Sequence, residues 1–231
     1  MAAIVLAGGA GSRLGGVNKP ALVDAAGRSS LRRVLDGCVG AWPVVVVGPD
    51  ELVRESLISC DGDVPGLRVV CERPAGSGPA RAVAAGVGDV CAAECAPQWT
   101  IVTAGDMPCA GQALKVLRQA LSNDCGEGLS APADRRGNGS GAVVAPGGVI
   151  ATADGRRQWL LAIARTAALA KACAALPPWT VGQRGESMRA VLGNLDLREV
   201  AVPADAAADL DEWAQVERLG FARSEERNTN G

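Results

Sequence analysis

Between residues 4 and 20 an apolar run, Ile4-Val5-Leu6-Ala7, passes into the loop Gly8-Gly9-Ala10-Gly11-Ser12-Arg13-Leu14-Gly15-Gly16 and ends at Asn18-Lys19-Pro20. Glycine has no Cβ, so backbone N–H groups in such a loop can approach an anion closely. Arg13 adds a planar fork for phosphate oxygens and Lys19 a compact point charge. Backbone amides and two cations after a strand suit the phosphates of a nucleoside triphosphate. The loop is not a Walker P-loop, because Lys19 follows Asn18 and precedes Pro20 instead of closing a Gly-Lys-Ser/Thr run. Nor does it fit the dinucleotide fingerprint, since Gly9, Gly11 and Gly15 are spaced one residue too widely.

Carboxylates and further cations follow. Asp106, in Gly105-Asp106-Met107-Pro108, stands just past the apolar run Trp99–Thr103. That places it at the edge of a parallel sheet where ligands bind. A carboxylate there suits Mg2+, a hard cation that bridges oxygen ligands to substrate phosphates. Ala208-Asp209-Leu210-Asp211-Glu212 offers two more, and Asp211 is equally placed to cap a final helix. The segment Glu72-Arg73-Pro74-Ala75-Gly76-Ser77-Gly78-Pro79-Ala80-Arg81 leads into an alanine-rich helix, whose start offers free N–H groups beside two glycines. Arg81 reads either as a phosphate contact or as a solvated charge. In Asp154-Gly155-Arg156-Arg157-Gln158, the two arginines could clamp a phosphate bidentately or sit in a solvated turn.

Histidine is absent, which removes Ser/Cys–His catalysis and the usual zinc ligand. The eight cysteines are scattered without a C-x-x-C pair; Cys91 and Cys95 are spaced for a reactive pair on one helix, but the set reads as reduced, packed thiols. Chemistry must rest on carboxylates, cations, a metal ion and backbone amides. A net charge of −2 argues against a polyanion-binding surface and against nucleic acid as a partner. No apolar stretch approaches the ~20 residues that span a bilayer, and the first one lacks a basic leader. The expectation is a cytoplasmic protein with no membrane partner.

The elements that must position these residues alternate between apolar runs and helical patterns, the signature of a mostly parallel sheet covered by helices. Strands are expected at Ala3–Ala7, Pro43–Val47, Leu67–Cys71, Trp99–Thr103, Gly128–Pro132, Gly141–Ala145 and Glu199–Val202. Helices are expected after a Ser30 cap, then over Gly78–Cys95, Gln112–Leu121, Leu161–Leu176, Glu186–Leu192 and Asp211–Leu219. With 231 residues, 48% of them hydrophobic, the chain can fill one core. It reads as an α/β protein: a single three-layer α/β/α, Rossmann-like domain over residues 1–221, followed by a disordered polar tail at 222–231.

Leu6, Ala7, Gly8, Gly9, Arg13, Gly15 and Lys19 resemble the L-A-G-G-x-x-x-R-x-G-G-x-x-K signature of the molybdenum cofactor guanylyltransferases, within the MobA-like nucleotidyltransferases. Gly105-Asp106-x-Pro108 resembles the family's G-D-x-P, and Gly76-x-Gly78-Pro79 its G-x-G-P-L-A-G segment, from which Ala80-Arg81-Ala82 departs. The resemblance implies a nucleotide-diphospho-sugar transferase-like fold and GMP transfer from GTP to the terminal phosphate of molybdopterin. Arg13, Lys19 and Asp106 would be catalytic, with Leu6, Ala7, Gly8, Gly9, Gly11, Ser12, Arg13, Lys19, Gly76, Gly78 and Pro79 on the nucleotide. Asp106 and Asp209 would hold Mg2+, and Arg156 and Arg157 the phosphorylated pterin. A labile product further implies direct handover to molybdenum-cofactor proteins. Other acceptors on the same fold, including cytidylyl, phospholactate and sugar-1-phosphate chemistry, and a silent nucleotide sensor remain open at this point.

Overall fold

Ala2–Leu6 (β1) is a run of small and branched apolar residues buried on both faces, the composition of an interior parallel strand. The computed structural model describes residues 1–8, 12–58, 63–93, 95–127, 147–180, 183 and 185–223. After β1 come Ser30–Gly37 (α1), Val44–Val47 (β2), Asp50–Leu57 (α2), Leu67–Val70 (β3), Pro79–Cys91 (α3), Trp99–Ala104 (β4) and Ala110–Glu127 (α4). Gly148–Ala153 (β5), Arg156–Arg165 (β6), Thr166–Ala174 (α5), Met188–Leu192 (α6), Leu197–Ala201 (β7) and Trp213–Arg218 (α7) complete the order. The strands form a seven-stranded sheet in the order β3-β2-β1-β4-β6-β5-β7. Its strands are parallel except that β6 runs against both β4 and β5.

Two apolar layers fill the space between sheet and helices. Val5, Val46, Ile101 and Ile163 meet Leu31, Leu35, Leu114 and Leu117 of α1 and α4 on one face. On the other, Ile4, Val45, Val102 and Ala162 meet Val83, Val87, Leu169 and Leu192 of α3, α5 and α6. The expected three-layer, mostly parallel architecture is therefore present. A third, small cluster lies at the edge: Leu14 and Leu22 pack on Leu210, Val216 and Phe221. It seats the last helical segment directly against the amino-terminal loop.

Register sets where the loops emerge. Leu6 pairs with Val47 on one side and Ala104 on the other, so β1, β2 and β4 end level with one another. Ala7 N–H donates to Val47 O at 2.8 Å, and Gly105 N–H to Leu6 O at 2.8 Å. The chain leaves β1 toward β2 on one side and returns as β4 on the other. That reversal opens a crevice beyond the strand ends.

Several expectations change. Leu161–Leu176 is not one helix: Leu161–Arg165 belongs to β6, and α5 begins at Thr166. An apolar run buried on both faces carries no period that separates strand from helix. Ser29, not Ser30, caps α1, accepting from Arg32 N–H, while Ser30 Oγ donates to Gly105 O at 2.8 Å. β3 is a half-exposed edge strand and not a fully buried one. α3 ends at Cys91, so Cys95 lies beyond it and the two do not share a helix. β5 and α2 went unforeseen, and the expected strands at 128–132 and 141–145 lie outside the described residues.

Candidate functional site

Beyond the ends of β1 and β4 lies a cleft of about 430 Å³. Its apolar floor is Leu6, Ala7 and Gly8 from the end of β1, Ala104 from β4 and Leu160 from β6. One end is closed by Glu72, Gly76, Gly78, Pro79 and Ala82, the other by Lys19, Pro20 and Asp106. Eight residues singled out from sequence thus line one cleft: Leu6, Ala7, Gly8, Lys19, Gly76, Gly78, Pro79 and Asp106. Gly9 and Gly11, and the side chain of Ser12, lie outside the described residues.

The charged end is built by three segments. Asn18 ties the amino-terminal loop to α2, its Nδ2 donating to Leu52 O at 2.9 Å and to Glu55 Oε2 at 2.8 Å. Lys19 follows, its Nζ 3.6 Å from Asp106 Oδ2 and bonded to Asp211 Oδ1. Arg13 Nη1 donates to Asp211 Oδ2 at 3.1 Å, although its side chain remains 69% exposed and does not line the cleft. Leu210 N–H donates to Asp106 O at 3.0 Å, so the Asp209–Asp211 segment is bonded to the Asp106 loop through the backbone. Asp211 is not a cap: α7 starts after Glu212, and Asp211 is spent on the two cations.

Electrostatics in this corner are strained in a consistent direction. Burial and the neighbouring Asp211 push the Asp106 carboxyl above its ordinary value, with Lys19 opposing them. Burial, then Asp211 and Asp106, push Asp209 up as well. For Lys19 burial acts downward, but the bond to Asp211 and the charges of Asp106 and Asp209 outweigh it, so the ammonium is held more tightly than usual. Asp209 forms no close ion pair among the described residues, though the Lys19 charge opposes its rise.

Could this corner take Mg2+? Among the described residues no three His, Cys, Asp or Glu side chains come together as a ready cage. Mg2+ does not need one, since it keeps waters and is commonly held by one or two carboxylates plus substrate phosphates. Asp106 and Asp209, both destabilised as anions chiefly by burial and further by Asp211, are chemically suited to it, because a divalent cation would offset both effects.

The opposite end differs from expectation. Gly76 and Gly78 take φ of 74° and 96°, conformations open to glycine, and Glu72 Oε1 accepts from Gly76 N–H at 3.0 Å. The start of α3 is not a free anion site: Ala80 N–H donates to Glu186 O at 3.3 Å and Arg81 N–H to Gly78 O at 3.1 Å. Gly185 closes the gap so tightly that a Cβ on Gly78 would stand 2.8 Å from Gly185 Cα. Arg81, its side chain 21% exposed, does not line the cleft. It donates to Pro177 O and pairs with Glu186 at 3.5 Å. Glu72 and Leu160 also line the cleft without having been expected there; a carboxylate four residues before Gly76 was the available signal for Glu72.

Arg156 and Arg157 open β6 after the turn Asp154-Gly155, with Ala153 opposite Arg156. Because Leu161 pairs with Thr103, this hairpin projects from the same end of the sheet as the cleft. Neither arginine lines it, however; Arg157 donates to Glu199 at 2.7 Å and lies 5.8 Å from the Trp159 ring.

Comparison with known proteins bears on the fold and the family. No protein of curated function matches the chain in sequence. Rv0371c from Mycobacterium tuberculosis H37Rv superposes with a TM-score of 0.58 at 18% identity, covering 95% of this chain and 96% of that one. A 4-diphosphocytidyl-2C-methyl-D-erythritol synthase gives 0.59 at 15%, covering 94% and 95%. The inositol-1-phosphate CTP transferase from T. maritima gives 0.57 at 14%, covering 99% and 96%. At such identities the likeness speaks for the fold alone. The sequence itself goes further: residues 3–200, which carry the glycine loop, Lys19 and Asp106, match the model of the MobA-like NTP transferase domain, and the chain belongs to that family.

Proposed function

We propose that this nucleotidyltransferase moves GMP from GTP onto the terminal phosphate of molybdopterin, or its molybdenum-loaded form, and releases pyrophosphate. The observation that carries the reading is one cleft with two chemically different ends: Lys19 and Asp106 at one, Glu72 at the other. An ionised carboxylate only accepts hydrogen bonds. It therefore complements a base edge with two adjacent N–H donors, as guanine has and cytosine does not. Glu72 gives one oxygen to Gly76 N–H at 3.0 Å; the other takes only a long 4.0 Å contact from Cys71 Sγ and is the one offered to the base.

Chemistry follows from what the chain possesses. An oxygen of the acceptor phosphate attacks the α-phosphorus, and the bond to the bridging oxygen of pyrophosphate breaks. That acceptor is already anionic, so no general base is required, which suits a chain without histidine. Negative charge grows on the α-phosphoryl and bridging oxygens, and fixed cations lower the barrier there. Lys19, charged throughout because its pKa is raised, holds the transferring phosphate, and Arg13 forks onto the outer phosphates. Mg2+, held by Asp106 and Asp209 when bound, would supply further positive charge across the substrate phosphates. Arg156 and Arg157, at the same sheet end, are the proposed contacts of the acceptor. The reaction is placed in the cytoplasm, with the product passed on to molybdenum-cofactor proteins.

Cytidylyl transfer is the second reading, favoured by the names of two fold neighbours. Pyrophosphate release with molybdopterin and Mg2+, measured for GTP, CTP, ATP and UTP, separates the two. Release with GTP at a rate well above the others is expected. Equal or greater release with CTP would overturn the guanine assignment, and no release with any of the four would overturn the acceptor.

A further inference from the structure

Arg13 and Lys19, the cations a triphosphate needs, are both already engaged. Asp211 accepts Arg13 Nη1 on Oδ2 at 3.1 Å and Lys19 Nζ on Oδ1. Two anionic oxygens spanning the two donors reproduce the contact surface of a phosphate. Among the described residues Asp211 is the acidic partner of Arg13, whose side chain is 69% exposed, while Lys19 also lies 3.6 Å from Asp106. Asp211 itself is anchored, because the adjacent Leu210 is fully buried against Leu14 and Leu22 and bonded to Asp106 O. Asp209, two residues away, makes no such contact with either cation among the described residues.

We propose that Asp211 is a positioning residue that stands in for phosphate: it holds Arg13 and Lys19 on the cleft rim and yields them when a nucleotide's phosphates arrive. This rests on the phosphate-binding reading of the cleft, not on the identity of the base. The device has a consequence for selectivity. A metal-free polyphosphate must displace one carboxylate while facing Asp106 and Asp209, so it is repelled three times over. A metal-loaded polyphosphate brings positive charge of its own, which offsets the displaced carboxylate and the two it faces. Asp211 thereby favours the metal-loaded form of the nucleotide over the metal-free one.

Calorimetric titration with inorganic tripolyphosphate, which has no base, tests this in EDTA and in Mg2+. Asp211→Asn keeps the shape and removes the charge. In EDTA it should bind tripolyphosphate about fivefold more tightly than the wild type, the size of a half-exposed ion pair. Asp211→Glu, which restores the competing charge, should return to the wild-type value, and both variants should melt near the wild-type temperature. Unchanged or weaker binding by folded Asp211→Asn in EDTA would overturn the proposal, as a residue that merely supports the fold or only ligates metal behaves that way. The two readings fail separately. Tightened tripolyphosphate binding without a preference for GTP over CTP leaves this inference standing and removes the guanine assignment. Normal GTP turnover with no tightening removes this inference alone.

Discussion

Lys19 and Asp106 face each other at 3.6 Å across the charged end of the cleft, and their losses should differ in kind. On the proposed mechanism, Asp106→Ala removes a carboxylate that would reach the reacting phosphates only through a metal. Pyrophosphate release should fall about 10³-fold while the fold is retained, checked by melting temperature alongside turnover. Lys19→Ala removes charge where it builds in the transition state, so kcat should drop about 10²-fold and nucleotide affinity should weaken with it. Glu72→Gln is the sharper probe of specificity. The amide keeps an acceptor for Gly76 N–H but loses the charge facing the base, so preference for GTP over CTP should shrink about tenfold or more in competition assays. The motif residues were legible because glycine, arginine and lysine at fixed spacing have few other uses. Glu72 was not, since a lone carboxylate has many.

Among the elements, α3 lies flat on β1 and β2 because Gly86 has no side chain. A Cβ there would stand 2.8 Å from Ile4 Cγ2 and 3.1 Å from Val47 Cγ2, both on buried branched residues. Gly86→Ala improves helix propensity by about 1 kcal/mol, yet overpacking a rigid core typically costs about 1–3 kcal/mol. The net expectation is a lower midpoint in urea denaturation; a higher one would show that the two layers can part freely. The β5–β6 hairpin was readable and was missed. Asp154-Gly155, with φ of 50° and 70°, is the dipeptide a two-residue hairpin turn demands, and it predicts paired strands on either side. Instead the apolar run after it matched a helix equally well, because residues buried on both sheet faces show no alternation.

Across the whole molecule, the last described residues are fastened to the segment that leads into α1. Val23 bridges to Ala222, and Arg33 lies 5.7 Å from the Phe221 ring while pairing with Asp24 at 3.2 Å. Burial acts upward on the Asp24 carboxyl, but bonds from the Arg28 and Ala26 N–H groups and the charges of Arg28 and Arg33 outweigh it and hold it below the ordinary 3.8. Asp24→Asn should therefore cost about 1 kcal/mol at neutral pH. A lowered folded-state pKa contributes fully above the unfolded value and fades as pH falls through the folded one. The gap between wild type and variant in denaturant melts should accordingly close as pH drops below 3.8, and a gap that widens in acid would refute the network. This closure also explains the division between chain and fold. Local chemistry alone pointed to the glycine loop with its two cations, the buried strands and the carboxylate past β4, because strand ends, glycine turns and cations are specified by neighbours in sequence. That Asp211, and not Asp209, meets Arg13 and Lys19 from 198 and 192 positions away arose from the packing of Leu14 and Leu22 on Leu210, Val216 and Phe221. That Arg81 turns from the cleft to Glu186, and that α3 begins with its N–H groups already taken, likewise came from the folded state. Burial against distant segments selects a side chain's partner, and no stretch of neighbouring residues carries that information.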